Sequence, residues 1–175
     1  KNELEKRQLQ LLIFYHNYRY LQSVLYIKGG NIMNHMHHYN ESDEKFANKI
    51  AFLDSRQREY LISPETLIRQ MPIQNEHTLL DVGAGSGFFT IPMAENTSGK
   101  VYAVDPDRRM LSVIEEKAKE KGLTNIELIQ DSIENLSIQN NSIDFVMASL
   151  ILHEVSSLAK ALSSIFDVLK TGGHL

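Results

Sequence analysis

Residues 80–90 read Leu-Asp-Val-Gly-Ala-Gly-Ser-Gly-Phe-Phe-Thr (LDVGAGSGFFT), and this stretch decides how the rest of the chain is understood. An apolar run ends in an acid, glycine then stands at every second position, and two aromatics follow. Glycine at 83, 85 and 87 allows a sharp turn, and lets a ligand lie against backbone with no Cβ in the way. A helix opening just after the loop would aim free N–H groups at polar atoms of that ligand.

Working outward, Thr78–Val82 forms a short apolar strand ending at Asp81, and Phe88–Glu95 a short helix that Pro92 should bend or shorten. Lys100–Val104 is a second strand, ending at Asp105. The next helix takes Pro106 in its first turn, carries an apolar stripe of Met110, Leu111, Ile114 and Ala118, and stops near Gly122. Ile126–Ile129 is a third strand, ending before Asp131, and Ile143–Met147 a fourth. Ser156 or Ser157 caps a last helix with the apolar face Leu158, Leu162, Ile165, Phe166 and Leu169, and Thr171-Gly172-Gly173 ends it. Strand–helix alternation with short connections predicts an α/β fold with a parallel sheet and flanking helices, about four strands being present. Ligands of such sheets bind at the carboxyl ends of the strands. Three of those ends carry an acid: Asp81, Asp105 and Asp131.

A helical segment precedes the sheet. Residues 41–76 place Phe46, Ile50, Phe52 and Leu53 among charges, and a second helix with a capping-box start runs from Ser63-Pro64-Glu65 to Gln70. It packs on the sheet or closes over a pocket. Residues 1–32 hold a helix-like stretch from Leu4 to Leu25 and no motif; they are either an N-terminal extension or a translated leader before Met33. The expected division is 1–32, a lid or pre-domain segment at 33–76, and the ligand-binding domain at 77–175.

Composition narrows the function classes. The 175 residues suit one domain with one core, at 42% hydrophobic and 23% charged. A net charge of −4 gives no long-range attraction for phosphate backbones, so nucleic acid is disfavoured as a partner. Cysteine is absent, which removes disulfides, thiolate nucleophiles and Cys-ligated metals. The apolar runs LLIFY at 11–15 and MASLIL at 147–152 are too short to cross a bilayer, so a cytoplasmic location with no membrane partner is expected.

The glycine spacing separates two cofactor readings. In the dinucleotide fingerprint a third glycine or alanine stands three places after the second, where this chain has the bulky Phe88. GxGxG after Asp81 instead resembles motif I of class I S-adenosylmethionine (SAM) dependent methyltransferases, with the Rossmann-like fold of that family. VYAVDPD at 101–107 resembles the family's second motif, which implies that Asp105 binds the ribose hydroxyls. LIQDSIENL at 128–136 resembles the adenine-contacting segment and points to Asp131 and Ser132. SIDFVMASLILHEV at 142–155 is similar to motif IV, and VLKTGGHL to the run into strand five, with Thr171 where Pro is usual. GxGxG alone is weakly specific; four motifs in order are strongly so. The resemblance covers about residues 33–175 and implies cofactor contacts at Asp81, Gly83, Ala84, Gly85, Gly87, Phe88, Asp105, Pro106, Asp131 and Ser132. An acid at a strand end is also commonly a cap or turn residue.

The implied reaction moves a methyl group from SAM to a small acceptor. With no Asn/Asp-Pro-Pro-aromatic tetrapeptide, amino-methylation of DNA bases is disfavoured; with no cysteine, attack on pyrimidine C5 is excluded. His153 is the one titratable candidate for a base near neutral pH, against a plainer role in capping or packing. No metal site is expected; His35, His37 and His38, with Tyr39, lie in a lid segment or a solvated turn. The alternatives are an NAD(P)-binding oxidoreductase fragment and a non-catalytic SAM-binding module. With about four strands, strand four would be a bare edge, through which the chain would associate. Such a chain would bind SAM with little or no turnover.

Overall fold

The computed structural model describes residues 43–56 and 63–175, and among these residues two helices precede the sheet. Helix α1 (Asp43–Leu53) buries no side chain, and its last residues, from Ile50, belong to a compact unit that runs to His174. Helix α2 (Pro64–Gln70) starts as its sequence dictates: Ser63 Oγ accepts the Thr66 N–H at 3.3 Å, and Pro64 stands where no backbone donor is needed. The stretches 4–25 and 34–40 lie outside the described residues.

From Leu79 onward strands and helices alternate: β1 (Leu79–Val82), α3 (Thr90–Glu95), β2 (Val101–Val104), α4 (Arg108–Glu120), β3 (Ile126–Ile129), β4 (Ile143–Met147), α5 (Leu158–Val168) and β5 (Leu169–His174). They form one five-stranded parallel sheet in the order β3-β2-β1-β4-β5. The order reverses at β1, which lies between β2 and β4, so a crevice opens at the carboxyl ends of β1 and β4. All four residues of β1 are buried, as a central parallel strand covered on both faces requires.

Among the described residues, apolar clusters cover the sheet. One joins Ile68 of α2, Leu79, Phe89, Met93, Val101 and Phe145; a second joins Ala84, Ile91, Ala103, Leu111, Ile114 and Ala118. The stripe expected on α4 is the one buried: Met110, Leu111, Ile114 and Ala118. Asp107 caps α4, its carboxylate accepting the Arg109 N–H at 3.0 Å, and Gly122 takes a left-handed φ of 66° beyond its end. Pro106 therefore precedes the cap instead of lying in the first turn.

Further expectations differ from the structure. The sheet has five strands, not four: α5 stops at Val168, and Leu169, expected on its apolar face, opens β5. Thr171-Gly172-Gly173 is not a helix stop but part of that strand, where Gly172, at φ 85°, accommodates a register shift against β4. Strand β4 is consequently paired on both sides, and the edges are β3 and β5. Helix α3 is shorter than expected, leaving Phe88 and Phe89 outside it; Pro92 is its third residue, where the missing N–H has no intrahelical partner in any case. Helix α5, capped by Ser157, buries Ala161, Ile165 and Val168, while Leu158 is 41% exposed.

Candidate functional site

The glycine loop joins β1 to α3 at the reversal point. Gly83, Gly85 and Gly87 all have positive φ, at 69°, 53° and 85°, a region that costs other residues roughly 1–2 kcal/mol. The Gly83 and Ala84 N–H groups both donate to the Val104 carbonyl, at 2.9 and 3.0 Å, and lash the loop to the end of β2. The Gly87 N–H donates to the Ala84 carbonyl at 2.9 Å and closes the turn. A Cβ on Gly83 would lie 2.5 Å from Ile151 Cγ1; one on Gly87 would lie 3.0 Å from Ile114 Cγ1.

The three strand-end acids differ in what they do. Asp105 is 8% exposed, and its two oxygens accept different backbone donors: the Gly85 N–H at Oδ2 and the Asp107 N–H at Oδ1, each at 2.9 Å. These bonds fix the carboxylate against the centre of the glycine loop, and a carboxylate has capacity for about four. Asp81 is 2% exposed and accepts the Thr90 hydroxyl at 2.6 Å, tying β1 to the first turn of α3. Asp131 staples its own loop: Oδ1 accepts the Ser132 N–H at 2.9 Å, and Oδ2 accepts the Ser137 N–H and hydroxyl at 3.0 and 2.7 Å. The Ser132 N–H thus donates to the Asp131 carboxylate.

The remaining candidates divide between core and rim. Ala84 is buried in the second apolar cluster. Phe88 packs against the first, with its ring edge-on to Phe89 at 5.2 Å. Pro106 is exposed, and its carbonyl accepts the Gln130 side-chain amide at 3.2 Å.

Beyond β4 the chain crosses the crevice. Leu150 holds a left-handed φ of 57° without being glycine, the kind of backbone strain that gathers where ligands bind. It sets Ile151 over Gly83. His153 Nε2 lies 3.4 Å from Glu154 Oε1, with 29% of the imidazole side chain exposed. The Ser156 N–H and hydroxyl both donate to Glu134 Oε1, at 2.8 and 3.0 Å, so the loops after β3 and β4 are joined. Burial pulls the Glu134 carboxyl up, but donation from its own backbone and from Ser156 outweighs it and holds the group below its usual range.

This arrangement has relatives. The methyltransferase-domain family model matches residues 79–173, more than half of the chain. The chain belongs to that family. The domain is 32% identical over 142 residues to a demethylmenaquinone methyltransferase of Geobacillus sp. (strain WCH70), a match covering 80% of this chain and 60% of the relative. A demethylmenaquinone methyltransferase of Geobacillus stearothermophilus is 35% identical over 118 residues, covering 66% and 50%. Among solved structures, a SAM-dependent methyltransferase from Aquifex aeolicus superposes with a TM-score of 0.66 at 31% identity, covering 70% of this chain and 66% of that one. The matched region is thus a class I methyltransferase domain of Rossmann-like fold, as the resemblance of its motifs implied, and the oxidoreductase alternative finds no support among these relatives. The chain spans about half to three-fifths of the length of these curated relatives.

The compact unit from Ile50 to His174 also holds residues that sequence reasoning missed. Asp54 Oδ1 accepts the Ser86 hydroxyl at 2.7 Å, and Lys117 Nζ donates to both Asp54 Oδ2 and the Ser86 carbonyl, each at 2.7 Å. Lys117 is a polar interruption near the α4 stripe, a faint signal; Asp54 had none, since its partners lie 32 and 63 residues away. Among the described residues no group of His, Asp or Glu could hold a metal, and no helix is long and apolar enough to cross a membrane.

Proposed function

We propose that this domain binds SAM across the glycine loop and that the protein transfers its methyl group to a small acceptor. The observation that carries the reading is the buried Asp105 carboxylate, held by the Gly85 and Asp107 N–H groups beside three left-handed glycines. A loop without side chains suits the close approach of the adenosine and methionine parts, and it needs no pyrophosphate contact. Asp105 accepts the ribose hydroxyls; with Oδ1 and Oδ2 already fixed by backbone, it does so without losing rotamer freedom. The loop after β3, with Asp131 and Ser132, borders the adenine. Pro106, next to Asp105, lines the same rim.

SAM supplies a methyl group on a sulfonium, an activated leaving group, so positioning the nucleophile provides much of the catalysis. The segment after β4 faces the acceptor, and His153 takes the acceptor's proton where the acceptor arrives protonated. The relatives' names make a demethylmenaquinone the first acceptor to test.

Calorimetric titration with S-adenosylhomocysteine, and separately with NAD, tests the cofactor assignment. Binding of the first alone is expected; binding of NAD alone overturns it. Transfer of label from methyl-labelled SAM to a demethylmenaquinone tests the acceptor in turn.

A further inference from the structure

The contacts among Asp54, Ser86 and Lys117 form a closed triangle. Each member comes from a different part of the unit: the turn after α1, the glycine loop and α4. Lys117 Nζ reaches Asp54 Oδ2 and the Ser86 carbonyl, and the Ser86 hydroxyl reaches Asp54 Oδ1, so each corner holds the other two. The Lys117 and Asp54 side chains are 29% and 32% exposed, and Ser86 is 1% exposed. The ion pair is therefore partly shielded, unlike the Lys100–Glu127 pair, whose side chains are about half exposed. Next to Asp54, Leu53 lies over the loop: Cδ1 is 3.5 Å from the position a Cβ on Gly85 would take. Gly85 is the residue whose N–H holds the Asp105 carboxylate.

We propose that Asp54 and Lys117 are positioning residues for cofactor binding. Together they clamp Ser86, and through it set the glycine loop and seat Leu53 over Gly85. This deepens the SAM reading and rests on it. The physical reason is local. A loop of three left-handed glycines has more conformational freedom than one built of other residues, and binding must restrict it. A clamp made at Ser86, between Gly85 and Gly87, restricts it before the ligand arrives. Neither Asp54 nor Lys117 is placed to touch the ligand; both act on Ser86.

The test compares Lys117→Met and Asp54→Asn with the parent chain, using Lys121→Met as a control that breaks another lysine pair on the same helix end, Lys121–Glu95. Two readouts are taken: hydrogen exchange of residues 50–56 and 83–88 without ligand, and the affinity and dissociation rate of S-adenosylhomocysteine. Both clamp variants should exchange faster in both segments. They should also bind roughly three- to tenfold more weakly, chiefly by faster dissociation, the equivalent of losing one or two partly exposed charged contacts. The Lys121→Met control should match the parent in both readouts. Exchange at 83–88 unchanged in both variants overturns the clamp. Faster exchange with unaltered affinity overturns its role in binding and leaves it structural. A folded parent that does not bind S-adenosylhomocysteine overturns the SAM reading and with it the positioning role, while the exchange readout still decides whether the clamp exists.

Discussion

Asp105 Oδ2 accepts the Gly85 N–H at 2.9 Å, so the acid just after β2 and the middle glycine of the loop after β1 are one hydrogen-bonded unit. The contact links residues 20 apart in sequence across two parallel strands, and it makes the loop's conformation depend on the carboxylate.

Asp105→Ala should therefore weaken S-adenosylhomocysteine binding about 10- to 100-fold, the equivalent of one charge-assisted bond at roughly 1.5–3 kcal/mol. Asp105→Asn should fall between, since its amide oxygen can still accept one N–H. Titration calorimetry on the three proteins decides it. Affinity unchanged in the alanine variant would falsify the ribose assignment.

Asp81 makes a different prediction. Its carboxylate is buried, and the Thr90 hydroxyl, itself fully buried, donates to it at 2.6 Å. Thr90→Val keeps the shape and removes the donor, which should destabilise the domain by about 1.5–3 kcal/mol. Thr90→Ser should restore most of that. Urea unfolding gives the comparison, and equal midpoints for valine and threonine would show that the bond contributes nothing.

How far the sequence revealed these features follows from how local their causes are. The α4 stripe and the left-handed Gly122 are set within about one turn of the residues involved, and they were readable, whereas the Asp107 cap was not, since Pro106 was expected in the first turn. The four strands before α5 announced themselves as apolar runs between turn signals. Strand β5 did not: Leu169 continues the period of α5, and only pairing with Ile143 converts it into a strand. The glycine loop and its acids were legible as residue types at fixed spacing. What Asp131 holds was not, because Ser137 meets it through the loop's fold and not through any pattern. The Asp54 clamp was invisible for the same reason.

Gly83 should tolerate no side chain. Its φ of 69° disfavours alanine, and the added Cβ would lie 2.8 Å from Ile151 Cβ, an atom close to the backbone that cannot swing aside. Gly83→Ala should lower stability by roughly 1–3 kcal/mol through both effects. In a double-mutant cycle Ile151→Ala, which removes Cγ1 and Cδ1 and keeps Cβ, should rescue part of the steric cost and leave the Cβ contact and the backbone part, so the two substitutions should be non-additive. Simple additivity in urea unfolding would show that Ile151 does not cover Gly83.

Asp144 sets the acid behaviour of the sheet. It accepts the Thr78 N–H at 2.8 Å and pairs with Lys170 at 2.8 Å, joining β4 to the start of β1 and to β5. Burial raises its carboxyl, but the Lys170 and Thr78 hydrogen bonds, with the nearby charges of Lys170 and His77, outweigh that and hold it below its usual range. The folded state thus binds this proton more weakly than the unfolded chain does. The stabilisation is present above the unfolded value of about 4 and is lost as pH falls through the lower folded value. Asp144→Asn should lower stability at pH 7 and flatten the fall below about pH 4, with the remaining slope coming from groups such as Glu134, held low in the same way. Urea midpoints from pH 7 down to pH 2.5 measure both effects. An asparagine variant that loses as much stability as the parent across that range would mean the Asp144 proton is not linked to folding.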